Sequence, residues 1–359
     1  MKALLVIASC LYVLAVGEGF VRVFAPAAIM PRFVEPTAYG LRGNVPSTSY
    51  WHYTSEVSVE YRINAAGIRA DREIPLAKPA STCRVVLFGD SFFMGYEVDL
   101  KDAFATLLEK DLQAAGYRCQ VVNLAVSGYG TAEMLVELEQ VGFQYSPDVV
   151  IFQWHRTDPE DNVRSDLFRV AKDGQLVRHA QTYLPSMKLR AMLDHVPLYR
   201  WLEQNSQLFC ALRERGAVIT KRQIMVARKE EAQSALAQHA EAPKPAGPKP
   251  LPYRLRLTRD LLAEGNRVAH EHGAQFMVFE VPTALSRTQF DTVDDRLTAS
   301  LPTDVAYLTP IEAFRKHANP DLKLYYEHGA GHWTPLGNQI AAHEAAQALI
   351  AKGWLDRWR

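Results

Sequence analysis

The sequence predicts an α/β fold built on a parallel sheet, and three observations carry that prediction. Apolar strand-like runs alternate with helical segments. The first run, "CRVVLFGDS", is apolar throughout its middle, as a strand buried on both faces is. The helical segment after it keeps a 3.6-residue period through Phe104, Leu107, Leu108, Leu112 and Ala115 and stops at Gly116. Strands that alternate with helices need crossovers, and crossovers make the sheet parallel.

Taken in order, "CRVVLFGDS" is a strand, "DAFATLLEKDLQAAG" a helix, "CQVVNLAVSG" a strand, "TAEMLVELEQVG" a helix and "PDVVIFQW" a strand. The pattern resumes with the helix "LTRDLLAEGNRVAHEHG", the strand "QFMVFEV", a helix over 293–300, the short strand "VAYL" and a last helix over 334–352. Between them, 185–252 reads as an insertion. It holds the charged helical stretches "YRWLEQNSQLFCALRER" and "KRQIMVARKEEAQSALAQHA" and ends in "EAPKPAGPKPLP", a stiff Pro/Lys linker. Its basic clusters read as a solvated helix face.

The chain of 359 residues is long enough for one α/β core with insertions, and with 48% hydrophobic and 22% charged residues it is not a disordered chain or a coiled coil. Forty basic residues balance forty acidic ones, so no bulk attraction to nucleic acid is encoded. Four cysteines (Cys10, Cys83, Cys119, Cys210) lie too far apart for a CxxC zinc site and allow at most a single bridge among neighbours in the fold.

Residues 1–25 read as a transmembrane anchor or a signal peptide. The apolar run from Ala3 to Gly17 fits a signal peptide, with an Ala15-x-Gly17 cleavage pattern, and extension through Phe24 reaches a membrane-spanning length. Retention as an anchor is the favoured expectation, with Glu18 and Arg22 paired at i,i+4 near the interface; secretion after cleavage is the alternative. "IASC" also imitates a lipoprotein box, but the apolar stretch before it is too short. Residues 26–80, with scattered prolines and the alternating "EVSVEYRIN", read as an extended stalk with a strand or hairpin beside the main domain.

Three loops carry candidate chemistry. Ser91 in "VVLFGDSFFMG" follows the first sheet strand, where a side chain points into the crevice of a parallel sheet and backbone N–H groups can face an oxyanion. "VVNLAVSGYGT" ends the next strand with Asn123, Ser127, Gly128 and Gly130, and glycine there permits close approach to a reacting carbonyl. Neither GxGxxG nor GxxxxGK[ST] can be read, which removes the nucleotide motif. In "YYEHGAGHWTPLGN", His332 precedes the N-cap candidate Thr334 and Pro335 at a helix start, so the histidine is held as a general base must be. His328 raises a metal alternative, but Gly329 and Gly331 oppose a helical pair and no acidic cluster accompanies it; no metal and no cofactor is expected.

Gly89-Asp90-Ser91 after the first strand, Asn123 to Gly130 after the second, Asp158 after the third and His332 before the last helix together resemble the SGNH (GDSL) hydrolase superfamily over most of the chain outside the insertion. Asn64, Gly67 and Arg69 in "INAAGIRADRE", with the N-terminal segment, look like membrane-tethered bacterial members related to polysaccharide O-acetyl-modifying proteins. The resemblance implies a flavodoxin-like three-layer sheet over 81–359, Ser91 as nucleophile, His332 as general base, and the Ser91 and Gly128 N–H groups as oxyanion donors. It also marks two departures. Thr157 stands where the family has the Asn that gives a third oxyanion donor, and Ala330 where it has the Asp that orients the histidine. Asp90 and Asp158 are candidate supporting groups, and Glu327 or a backbone carbonyl is the candidate orienting group.

In a flavodoxin-like sheet the strands begun by Cys83 and Cys119 are neighbours, roughly 4.8 Å apart, which predicts a Cys83–Cys119 disulfide. The expected activity is a serine esterase or acyl (acetyl) transferase facing the periplasm or cell exterior, with an acyl ester or acetylated glycan as substrate. The competing expectation, from Thr157 and Ala330, is a catalytically impaired relative acting in carbohydrate binding or assembly.

Overall fold

The computed structural model describes residues 1–31, 33–185, 192–193, 196–216, 219, 251–328 and 331–359. The chain opens with a single apolar helix, α1 (Lys2–Phe24), none of whose residues is buried. Two antiparallel hairpins follow, β1 (Val34–Pro36) with β2 (Arg42–Asn44) and β3 (Thr48–Tyr53) with β4 (Ser58–Ile63). The region read as a stalk is a packed flank: Tyr50, Val59, Tyr61 and Ile63, alternating along β3 and β4 as one sheet face requires, join the main hydrophobic core.

The central sheet is parallel and has five strands: β5 (Cys83–Phe88), β6 (Cys119–Asn123), β7 (Val149–Trp154), β10 (Gln275–Glu280) and β13 (Ala306–Leu308). Short hairpins β8 (Phe168–Val170) with β9 (Leu176–Arg178), and β11 (Thr283–Ala284) with β12 (Phe290–Asp291), lie outside it. From one edge the order is β6-β5-β7-β10-β13, so the chain starts near the middle, steps to one edge, then crosses back; this is the flavodoxin-like order. The direction reverses between β5 and β7. The crevice outside their carboxyl ends is where such a sheet binds ligands.

Every residue of β5 and β7 is buried because helices cover both faces. On one face α3 (Phe104–Ala114) and the C-terminal helix Pro335–Ala351 pack around Phe93, Phe104, Leu108, Phe279 and Trp333. On the other, α4 (Thr131–Gln140), α5 (Asp158–Ser165) and the helix Tyr253–Glu271 pack around Phe88, Leu135, Phe152, Leu261 and Phe276. Gly265 lets that long helix close on the sheet, since a Cβ there would lie 3.1 Å from the Phe276 ring and 3.2 Å from Phe152.

Cys83 and Cys119 face each other in the β5–β6 register, with Cα atoms 4.4 Å apart, and are joined by a disulfide. The insertion differs from its reading in one respect. "YRWLEQNSQLFCALRER" is two helices, Pro197–Asn205 and residues 207–216, because Ser206 is extended and its neighbours' N–H groups are capped from elsewhere. The second charged stretch and the Pro/Lys linker lie outside the described residues.

Candidate active site

Ser91 opens the one-turn helix α2 (Ser91–Met94), which begins at the carboxyl end of β5. Asp90 caps it, its side chain accepting from the Phe92 N–H. His332 arrives from the opposite end of the chain. Its backbone carbonyl accepts from the Tyr326 N–H, and Thr334 caps the helix that Pro335 begins, so the ring is delivered by a braced turn. The Ser91 hydroxyl lies 2.7 Å from His332 Nε2.

The third member is Glu97. Its Oε2 is 2.9 Å from His332 Nδ1 and also accepts from the His332 backbone N–H at 3.2 Å. With Nδ1–H donating to a carboxylate, the Nε2 lone pair faces the serine, which is the tautomer a general base needs. Glu97 is fully buried and the His332 side chain nearly so. Glu97 follows Ser91 by only six positions, on the turn that closes α2, with a left-handed backbone at φ 65°.

That turn is gripped from the N-terminal flank. The Tyr61 hydroxyl on β4 accepts from the Glu97 N–H at 2.9 Å and donates to the Gly95 carbonyl at 3.2 Å. Arg69, stacked 3.8 Å over the Tyr61 ring, donates to the carbonyls of Met94, Gly95 and Val98. Asn64 shapes the Arg69 loop, its side chain accepting from Ala66 and Ile68 N–H groups and donating to the Arg72 carbonyl, around Gly67 at φ 79°. So the Asn64, Gly67, Arg69 motif braces the Glu97 turn. The aromatic series His52, Tyr61 and Tyr96 backs His332, and Glu56 at the tip of the β3–β4 hairpin accepts from the Glu327 and His328 N–H groups.

Gly128 sits after β6 at φ 80°, its carbonyl held by Arg42. Among the described residues neither the Ser91 nor the Gly128 N–H donates to a protein acceptor, so both remain for a ligand oxygen. A side chain at 128 would collide with Arg42, whose Nη2 would lie 2.6 Å from its Cβ.

The third loop is a polar network. Gln153 donates to Asp90 Oδ1 and accepts from the Asp90 and Phe93 N–H groups. His155 Nδ1 is 3.2 Å from Asp90 Oδ2 and 3.1 Å from Thr157 Oγ1, and the His155 backbone N–H donates to Asp158. Burial opposes the charge on Asp90, but the bonds from His155, Phe92 and Gln153 win and hold its carboxyl below the ordinary value. Asp158 goes the other way: burial, then the Asp90 charge, push its carboxyl well above its ordinary value. Asp90, His155 and Asp158 offer ligand atoms within 4.8 Å of one another. Asp90 and His155 are already bonded to each other and Asp158 accepts from the His155 N–H, so the three form a hydrogen-bond network.

The structure thus places Ser91 against His332, Asp90 beside Ser91 and bonded to Gln153, and Asp158 buried beneath His155. One reading is corrected. Glu327 does not orient His332: its carboxylate is paired with Arg287 and Lys323 at the surface, which pulls it down to about 2, and Glu97 holds the place instead. Thr157 is exposed, with its hydroxyl turned to His155. Ala330 lies outside the described residues. Glu97, Gln153 and His155 were not singled out from the sequence; the only signal for Glu97 was an acid within the apolar run "FFMGYEV".

No family model matches the chain, and no curated protein does. Among solved structures it is similar to TesA (14% identity, TM-score 0.40, covering 75% of this chain and 98% of that one). It is also similar to a lipolytic protein of the G-D-S-L family from Desulfitobacterium hafniense DCB-2 (12% identity, TM-score 0.35, covering 74% and 99%). A lipase/acylhydrolase from Enterococcus faecalis matches at 12% identity and TM-score 0.38 over 75% and 96%. The strand order by itself shows a flavodoxin-like α/β architecture.

Proposed function

We propose that the chain is a serine esterase of SGNH type, with Ser91 as nucleophile, His332 as general base and Glu97 as the carboxylate that orients it. The observation that carries this reading is the continuous chain from Ser91 Oγ through His332 to Glu97, with bonds of 2.7 and 2.9 Å. Ser91 Oγ adds to the ester carbonyl carbon as its proton passes to His332 Nε2. The new oxyanion lies against the Ser91 and Gly128 N–H groups. Collapse breaks the bond to the alcohol oxygen, which takes the proton from His332 as it leaves, and a water or hydroxyl acceptor resolves the acyl-enzyme by the same route. Glu97 keeps the imidazole in register throughout and stabilises the imidazolium.

Glu97 supplies what Ala330 takes away, which favours turnover over an impaired binding protein. An acyl ester is the substrate class. Acyl transfer to a glycan hydroxyl, and deacetylation of one, are the finer forms suggested by the family resemblance. The Cys83–Cys119 disulfide and the apolar α1 support a location outside the cytoplasm, tethered to the membrane. The test is hydrolysis of p-nitrophenyl acetate and butyrate by the purified full chain. Wild type is expected to turn both over and Ser91→Ala to fall to background while melting as wild type does; equal rates in the two would refute the assignment.

A further inference from the structure

We propose that the helix pair Pro197–Asn205 and 207–216 is a lipid-contacting foot that lies on the bilayer surface beside α1. The proposal rests on the reading of α1 as a membrane anchor. The helix pair is clamped to the last turns of α1 by Glu18, which accepts from Arg22 Nε (2.7 Å), the Ser206 hydroxyl (2.7 Å) and the N–H groups of Gln207 (3.0 Å) and Leu208 (2.9 Å). Arg22 donates to the Asn205 carbonyl at 2.6 Å, and the Ala27 N–H to Gln207 Oε1 at 3.2 Å. Gly17 is small where Leu208 packs, since a Cβ there would lie 3.1 Å from Leu208 Cδ2.

The length of α1 fixes the level of this clamp. Lys2 to Val16 is too short, at roughly 22 Å, to cross a hydrocarbon core of about 30 Å. The span must therefore continue through the clamped turns toward Phe24, which sets the pair at the interface. A carboxylate at that depth is costly unless paired, and Glu18 is paired with Arg22 and three further donors.

The pair is also arranged for lipid on its outside. Glu203 is fully buried and bonded to Arg213, and Cys210 is buried beside the Glu203 carbonyl. Leu198 and Trp201, at i,i+3 on one helix face, are 64% and 59% exposed, and Leu212 on the second helix 59%. Exposed Leu198, Trp201 and Leu212 stand among the exposed charges of Arg200, Glu214 and Arg215, a mixture suited to the headgroup level, and tryptophan favours the membrane interface. The clamp of this pair to the last turns of α1, none of whose residues is buried, selects the bilayer as its occupant.

The experiment uses the full chain in phosphatidylcholine and phosphatidylglycerol vesicles, with and without nitroxide lipid. An environment-sensitive NBD probe is placed at Trp201→Cys or, independently, Leu198→Cys, each in a Cys10→Ser, Cys210→Ala background. The same probe on native Cys10, with Cys210→Ala, reports on α1. Nitroxide lipid is expected to quench all three probes several-fold. A quenched Cys10 probe with foot probes that keep their emission overturns the foot and leaves the anchor standing; this includes foot probes shielded by protein, which are blue-shifted without lipid quenching. An unquenched Cys10 probe refutes the anchor, and the foot with it.

Discussion

Glu97 Oε2 accepts two hydrogen bonds from one residue, His332: one from the ring at 2.9 Å and one from the backbone N–H at 3.2 Å. The same oxygen thus fixes both the position of the turn and the rotation of the imidazole. Glu97→Gln keeps the shape but can present its amide to Nδ1 and invert the tautomer, as loss of a triad carboxylate does elsewhere at a cost of about 10⁴ in kcat. The expected result is a fall approaching that size with KM nearly unchanged, while Glu327→Gln stays within about twofold of wild type, as an exposed ion pair allows. Steady-state kinetics on one activated ester measures both.

Tyr61 and Arg69 hold the 94–98 turn that carries Glu97, so their expected effect on the reaction runs through that carboxylate. Tyr61→Phe removes the acceptor for the Glu97 N–H and leaves the ring, so kcat is expected to fall about tenfold, the worth of one lost hydrogen bond, with little change in KM. Arg69→Met removes three carbonyl contacts and is expected to cost more. A purely structural role would lower the amount of folded enzyme and leave kcat per fluorophosphonate-titrated site unchanged.

Two buried carboxyls set the pH dependence of stability. Burial pushes Glu137 up to about 8, against the Tyr39 hydroxyl that donates to it, and Glu133 up to about 7, against the Arg42 charge. Below pH about 4.5 both are protonated in the folded and unfolded chain, and the stability they allow is fully present. As pH rises from there through 7 and 8, the unfolded chain gives up protons that the folded chain keeps, so stability falls. Thermal melts between pH 5 and 9 are expected to show a declining Tm, and Glu137→Gln to flatten that decline.

The disulfide closes a stretch of 36 residues across adjacent strands, a loop whose closure is worth about 4 kcal/mol in the chain-entropy account. Cys83→Ala with Cys119→Ala is expected to lower unfolding free energy by an amount of that order, read from urea melts, with kcat on an activated ester retained at a temperature where the protein stays folded.

The sheet was legible because each strand lies between helices and is apolar along its whole length, as "VVLF" and "VVIF" are; the cysteine pairing followed from two strand starts. Ser91 and His332 were legible because each sits at a junction with a strong local signal, a strand end and a Thr-Pro helix start. Glu97 was not. Its role depends on a left-handed turn held by Tyr61 and Arg69, contacts made across 36 and more than 20 residues of sequence that no local pattern encodes. Glu327 was the nearer acid along the chain, but Arg287, 40 residues away, takes it up. The break at Ser206 is of the same kind, because the cap on the second helix comes from Glu18, 188 residues earlier.

The most direct test of the Ser91–His332–Glu97 assembly is the rate and site of fluorophosphonate labelling, followed by intact mass and peptide mapping. Wild type is expected to gain a single adduct on Ser91, Glu97→Gln to gain the same adduct at least about 100-fold more slowly, and Glu327→Gln to label at the wild-type rate. No adduct, an adduct on a residue other than Ser91, or equal labelling rates for wild type and Glu97→Gln would contradict the account.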